Sequence, residues 1–260
     1  MRLPLTITSN DAQACYDRIV LWIASLSLPR IGLSQDAAFS MTNTLQSSTH
    51  YINTAFGISI ETYFPTDSPN QGSGQGNGTG PTIWGMISAI LLTIMRDNGY
   101  GLDALSCLTQ LALVIAGFAF VDDTDIINAA NQSIPRGELL TQQQHVVDTW
   151  EGSLNATGGA LRPDKLYWCM LDYKRSDNQW KYKSIKQLPG GITVKVTDNT
   201  RQTLLRLEPK EVKETLGICI SMDDNSKDQL EHLLNKTMHM AEDFRTSKVT
   251  KKEAWYTLYR

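Results

Sequence analysis

The sequence predicts an α+β fold, and three observations predict it. The first half of the chain mixes helix-period and strand-period segments, short strand-like runs crowd together from Leu166 onward, and helical blocks close the chain. Elements grouped in this way, without strict strand–helix alternation, favour α+β. At 260 residues, with 41% hydrophobic and 20% charged residues, the chain can bury a substantial core.

The elements follow in order. Leu3 to Thr8 alternates and is rich in β-formers, predicting a short strand that ends at Ser9-Asn10-Asp11. Asp17 to Ala24 carries Ile19, Val20 and Ile23 at helical spacing, and Gln35 to Phe56 predicts a second helix through Phe39, Met41, Leu45 and Ile52. Ile58 to Phe64 alternates like a strand. Ser68 to Pro81, rich in Gly, Ser, Asn and Gln, reads as a loop whose final Pro81 opens a buried helix over Ile83 to Met95, closed by Asp97-Asn98-Gly99. Ala104 to Ile115 predicts another helix, and Phe118 to Val121 a strand that halts at two acids. Glu138 to Asn155 is a Gln-rich helix. Strands are then predicted at Tyr167–Tyr173, Trp180–Ile185, Ile192–Thr197 and Thr203–Leu207, with turns at Gly190-Gly191 and Asp198-Asn199. The last helical blocks run from Lys227 to Phe244 and from Lys252 to Tyr259.

Composition narrows the function classes. A net charge of −3 gives no overall basic field. Cations are nevertheless clustered, at Lys174, Arg175, Lys181, Lys183 and Lys186 and again at Arg245, Lys248, Lys251 and Lys252. Each cluster reads equally as a solvated face or as a contact for phosphates. Cys15, Cys107, Cys169 and Cys219 lie far apart without zinc spacing, which suits buried thiols in a reducing compartment. The N-terminus lacks a signal-peptide core, so an intracellular protein, nuclear or cytoplasmic, is expected, and Asn77-Gly78-Thr79 is a chance sequon. The stretch Leu108 to Val121 is too short and interrupted for a membrane span and reads as core.

Chemistry concentrates in acids at strand ends: Asp11 after the first strand, Asp122 and Asp123 after Phe118-Ala119-Phe120-Val121. Adjacent carboxylates beside an apolar strand repel one another, and a hard divalent cation removes that cost. Two Mg²⁺ ions held by such a trio serve phosphoryl transfer. The alternative is a simple strand end leading into a helix, since Thr124 and Asp125 are good N-cap residues.

Five segments, taken together and in order, resemble reverse transcriptases. Asp11 is followed five places later by the aromatic Tyr16; Gln75-Gly76 is followed by Pro81 and a helix; Phe120-Val121-Asp122-Asp123 is an aromatic-x-Asp-Asp signature; Gly158-Gly159-Ala160-Leu161-Arg162-Pro163-Asp164-Lys165 matches a Gly-to-Lys motif; and Thr215-Leu216-Gly217-Ile218 looks like the Leu-Gly element ahead of the thumb. The resemblance spans Asp11 to about Ile220 and is nearest to cellular, non-long-terminal-repeat retroelements. Phe120 stands where many members carry Tyr.

The resemblance implies a right-hand polymerase palm over residues 1–215, an antiparallel sheet with helices on one face followed by a small β-rich segment, and the start of a helical thumb over 216–260. It implies RNA-directed DNA polymerase activity, with Asp11, Asp122 and Asp123 binding two Mg²⁺ ions (Mn²⁺ as a substitute). Asp11 and Asp122 should then sit on adjacent antiparallel strands within one ion's reach. Tyr16 would lie under the incoming sugar and exclude a 2′-hydroxyl. Gln75 and Gly76 would lie near the nascent base pair, and Lys165 would face the leaving pyrophosphate as charge stabiliser or general acid. Leu216 and Gly217 would begin a primer-gripping hairpin, with Arg245, Lys248, Lys251 and Lys252 on phosphates and Trp255, Tyr256 and Tyr259 packing. Partners would be an RNA or DNA template with primer and deoxynucleoside triphosphates, with no membrane. The family's fingers region precedes the first motif, whereas Asp11 lies ten residues from the start of this sequence. The expectation is therefore a piece of a longer polymerase, with a catalytically retired nucleic-acid-binding remnant as the alternative.

Overall fold

The computed structural model describes residues 3–63, 71–74, 78–131, 135–196, 200–215, 218–246, 250 and 252–253. Gln75, Gly76, Asp198, Asn199, Leu216, Gly217, Lys248, Lys251, Trp255, Tyr256 and Tyr259 lie outside the described residues.

The chain folds as β1 (Leu5–Asp11), α1 (Cys15–Arg18), α2 (Leu21–Ser27), α3 (Gln35–Gln46), β2 (His50–Thr54), β3 (Gly57–Tyr63), α4 (Gly80–Asp97), β4 (Leu102–Leu105), β5 (Ala112–Ile115), β6 (Gly117–Phe120), β7 (Asp123–Ala129), α5 (Leu139–Ala156), β8 (Tyr167–Leu171), β9 (Tyr173–Ser176), β10 (Gln179–Tyr182), β11 (Thr193–Lys195), β12 (Arg201–Thr203), β13 (Leu205–Leu207), β14 (Val212–Thr215), β15 (Ile218–Ser221) and α6 (Lys227–Thr246). This is a mixed α+β chain. It divides into two compact units, Met1–Arg206 and Leu207–Arg260. In the second unit the β14–β15 hairpin precedes α6, and the Gln229 side chain accepts from the Cys219 amide at 2.5 Å. The expected boundary at 215/216 falls between β14 and β15.

In the first unit the main sheet has the order β13-β8-β1-β7-β6, with β1 central and antiparallel to both β7 and β8. One face of β1, carrying Thr6, Thr8 and Asn10, is buried, and Thr6 and Thr8 on it are polar groups that need partners. α5 supplies one in Gln143, also buried, which accepts from the Thr6 hydroxyl and donates to the Thr8 hydroxyl, each at 2.6 Å. This fixes the height of α5 under β1. The apolar core around it includes Trp84 of α4, Trp150 of α5 and Trp168 of β8, with Ile87, Leu91, Ile126 and Val146. Arg206 lies 4.4 Å over the Trp168 ring and adds a cation–π contact.

Several expectations need correction. The strand expected over Leu3–Thr8 runs on through Asp11, because β7 pairs it residue for residue up to Asp11↔Asp123. The helix expected over Asp17–Ala24 is broken into α1 and α2: Ile19 is extended, and the Val20 amide donates outward to the Thr157 carbonyl at 2.9 Å. That break is held by Gly158, at φ +90°, where a Cβ would collide with the Arg18 carbonyl. Gly158→Ala is expected to cost at least about 1–2 kcal/mol from the left-handed backbone alone, with the collision added, as a lowered urea midpoint. A midpoint equal to the parent's would refute this packing.

The helix expected over Gln35–Phe56 stops at Gln46. The Ser47 and Ser48 hydroxyls bond back to the Asn43 and Thr44 carbonyls, competing with the helix, and Tyr51, Ile52 and Thr54 suit the strand that follows. The helix expected over Ala104–Ile115 is instead the hairpin β4–β5, with Leu102 opposite Ile115. Gln110 at φ +59° makes its turn, and a short apolar run cannot declare helix or strand by periodicity. Apart from Ala116, Leu108–Val121 is not core either: Leu108 is 95% and Phe118 61% exposed, because β6 is the sheet's edge and β4–β5 a two-stranded ribbon. Finally, Thr124 and Asp125 begin no helix but continue β7. No helix among the described residues is long and apolar enough to cross a membrane.

Candidate active site

The end of β1 is where the acids meet. Asp11 closes β1 and Asp123 opens β7, and the two are direct cross-strand partners. Such partners share a face with Cβ atoms about 4.5–5.5 Å apart. Asp122 occupies the preceding turn rather than a strand, and its carbonyl accepts from the Ala12 amide at 3.4 Å, so it too lies beside the end of β1.

The turn that presents the pair is strained. Val121 has φ +56°, a left-handed conformation that a β-branched residue rarely adopts. Such a backbone persists only where its surroundings impose it. Here the Trp84 indole N–H, rising from α4, donates to the Val121 carbonyl, while the Ala12 amide holds the next carbonyl. Pro81 starts α4, and helical spacing sets Ile83, Trp84, Ile87 and Leu91 on its buried side, which carries the indole to the turn.

Lys165 is delivered to Asp11 by the loop after α5. The Gln13 amide donates to the Ala160 carbonyl at 2.8 Å, Ala12 bridges Leu161, and the Arg162 amide donates to the Asp11 carbonyl at 3.1 Å. A turn from Arg162 to Lys165 then places the Lys165 ammonium 2.6 Å from Asp11 Oδ2. Arg162 itself pairs with Asp164 at 3.0 Å.

The electrostatics follow from three carboxylates near one ammonium. Burial pushes the Asp123 carboxyl above its ordinary value, the charges of Asp122, Asp11 and Asp125 push it further, and Lys165 opposes them. Lys165 is itself held above its usual value by its hydrogen bond and charge pairing with Asp11. Asp125, two residues along β7, is pushed up by burial and eased by the Ser9 hydroxyl. Burial and then the Asp122 charge raise the Cys15 thiol to about 12, so this cysteine is an inert packing group.

Tyr16 lies on α1 at a cleft of about 400 Å³ lined by Pro81, Trp84, Ser88, Ala119 and Val121. Its carbonyl accepts from the Ser73 amide at 2.7 Å, and a Cβ on Gly80 would stand 3.2 Å from its ring, so the start of α4 closes against it. Burial, then Cys15 and Asp122, push its hydroxyl up, keeping it neutral.

Asp11, Asp122, Asp123 and Lys165 are thus together, with Tyr16 in the cleft behind the Asp122 turn. Gln75 and Gly76 lie outside the described residues. Neither Trp84, which in sequence is only part of an apolar helix, nor Asp125, which in sequence suits a helix cap, stands out before the fold is known. Among the described residues no three His, Cys, Asp or Glu side chains converge on a ready metal site. The donor chemistry nonetheless suits a hard divalent cation: three carboxylates, one of them paired with an ammonium and another destabilised in its charged form by burial and by its neighbours' charges.

No family model and no curated protein matches the chain. Among solved structures it is similar to apo telomerase from Candida tropicalis truncated from the C-terminal domain, at 15% identity and TM-score 0.47 over 70% of this chain and 33% of that one. Telomerase from Candida tropicalis with a TWJ fragment of telomeric RNA matches at 12% identity and TM-score 0.43, over 65% of this chain and 26% of that one. Telomerase from Candida albicans with a TWJ fragment matches at 12% identity and TM-score 0.44, over 91% and 34%. The chain therefore spans about a third or less of the telomerase chains it matches.

Proposed function

We propose that this chain is the palm and the start of the thumb of a retroelement reverse transcriptase of the non-long-terminal-repeat type. It extends a primer on an RNA template by nucleotidyl transfer. The observation that carries the proposal is the Asp11↔Asp123 cross-strand pair beside the strained Val121-Asp122 turn, with Lys165 on Asp11. The five ordered motifs support it.

Asp11, Asp122 and Asp123 would hold two Mg²⁺ ions, which when bound supply Lewis-acid stabilisation of the charge developing on the phosphoryl group. The chain's own residues do the rest. The Trp84–Val121 hydrogen bond keeps the turn from relaxing, so Asp122 and Asp123 stay beside Asp11. Tyr16 presents a neutral ring in the cleft, where it would pack against a deoxyribose and leave no room for a 2′-hydroxyl. Lys165, held protonated next to the acids, carries the charge and proton suited to a leaving pyrophosphate.

Lys165 also acts on the acids before any ion arrives, since its ammonium compensates Asp11 where a cation would. Lys165→Met should tighten binding of Mn²⁺ alone, read by paramagnetic relaxation, while slowing nucleotide addition; looser Mn²⁺ binding would argue against this compensation. The proposal as a whole is tested by primer extension on an RNA template with Mg²⁺ and deoxynucleotides. Extension by the parent that is absent in Asp122→Asn/Asp123→Asn supports it, and no extension by the parent refutes catalysis by this chain.

A further inference from the structure

Beyond the acids, the chain carries a second arrangement that points to nucleic acid. We propose that the β9–β10 hairpin is a binding platform for single-stranded nucleic acid, distinct from the acidic site. Its register is Tyr173↔Tyr182, Lys174↔Lys181, Arg175↔Trp180 and Ser176↔Gln179. Alternate residues of a strand share a face. One face of the ribbon therefore carries Tyr173, Tyr182, Trp180 and Arg175, and the other carries Lys174 and Lys181.

The aromatic face is half-buried at the two tyrosines and exposed at Trp180. The Tyr173 and Tyr182 rings lie 5.1 Å apart, tilted at 38°, and beyond them Trp180 is 49% exposed. Arg175 stands across from Trp180 and is also exposed. The Asp177-Asn178 turn, at φ 52° and 58°, has the two left-handed residues of a tight hairpin turn, which presets the ribbon.

The cationic face is incompletely neutralised. Lys174 and Lys181 are direct cross-strand neighbours, an arrangement that like charges disfavour. Asp177 takes the Lys181 ammonium at 2.9 Å, whereas no carboxylate among the described residues pairs with Lys174; on the aromatic face Arg175 donates to Asn178 Oδ1 at 3.4 Å. Lys183 is spent on the fully buried Asp172, at 2.7 Å, which roots the hairpin. A polyanion supplies what this face lacks. On the aromatic face the unpaired bases of a single strand would stack on Trp180 with a phosphate on Arg175 beside it, the combination by which single strands are held without sequence preference. A duplex offers no base faces to Trp180.

The platform is not part of the acidic site. β8, from which the hairpin springs, ends at Leu171 opposite Leu5, at the far end of β1 from Asp11. At strand rise these ends are about 20 Å apart. The inference does not rest on nucleotidyl transfer.

The test uses the full chain in EDTA, with fluorescently labelled oligo-dT and oligo-U followed by anisotropy. Trp180→Ala should weaken binding about tenfold, the loss expected for one stacked base, and Trp180→Phe should restore most of it. Lys174→Gln and Arg175→Gln should each reduce the slope of log affinity against log salt by about 0.7. Binding in EDTA needs neither metal nor turnover, so a protein inactive in primer extension can still support the platform. A preference between the two oligonucleotides names the strand type and supports it too. Parent-like binding by Trp180→Ala together with an unchanged salt slope in the glutamine variants would overturn it. So would equal competition by duplex DNA, or binding of phosphatidylserine vesicles with the oligonucleotides ignored.

Discussion

Asp123→Asn should abolish primer extension and at the same time raise the melting temperature at neutral pH. The loss follows from its proposed place as an ion ligand. Charge stabilisation by a catalytic metal is worth several kcal/mol, so the rate should fall by at least about 10³-fold. The gain follows from the position of its carboxyl. Burial and then the Asp122 and Asp11 charges hold it above its ordinary value of 3.8. Between that value and the raised one, the folded chain binds more protons at this site than the unfolded chain does. Stability then falls as pH rises through the window and stays lowered above it. The amide has no such charge, so the advantage of the variant should open as pH rises through the acidic range and hold constant at neutrality. Mg²⁺ should narrow the gap by stabilising the parent alone, as any ligand of the folded state does. Melting followed by circular dichroism across pH, with and without Mg²⁺, reads all of this. A variant less stable than the parent at neutral pH would show that Asp123 is compensated where it stands, and would undo the electrostatic account.

At Trp84 two substitutions should part company. Trp84→Ala removes one of the largest buried side chains and should cost about 3–5 kcal/mol. Trp84→Phe keeps most of the packing and removes the N–H that reaches the Val121 carbonyl. Its stability cost should be about 1 kcal/mol, the net worth of one hydrogen bond. Its effect on the site should be larger, because only the longer Ala12–Asp122 hydrogen bond named above then opposes relaxation of the Val121 backbone from φ +56°. The expected result is a folded protein with weakened Mn²⁺ binding and slowed extension, and Val121→Gly in the same background should not restore either. If Trp84→Phe binds Mn²⁺ and extends primers as the parent does, the indole is only packing.

Much of the fold could be read directly from residue order. The helix opened by Pro81 and the Gln-rich helix before Gly158 both form as α4 and α5, because each is long and periodic enough to be unambiguous. The strand ahead of Asp122 and the crowd of short strands after Leu166 also form. The acids themselves were visible, since two adjacent carboxylates after Phe118-Ala119-Phe120-Val121 are conspicuous in any context.

Other features depended on partners that the local sequence does not name. The split of α1 from α2 depends on Thr157 and Gly158, more than a hundred residues away, offering a carbonyl and a close approach. The β4–β5 hairpin arose where a run of apolar residues of no distinct period found a partner strand rather than a helical turn. Identity and spacing marked the candidate residues: Asp11, Asp122, Asp123, Lys165 and Tyr16. The tertiary structure alone decided that Asp11 faces Asp123, that Lys165 bonds Asp11, and that Trp84 holds the turn joining β6 to β7. The physical reason is that periodicity records which face of an element is apolar, while cross-strand register and long-range hydrogen bonds arise only when the elements pack.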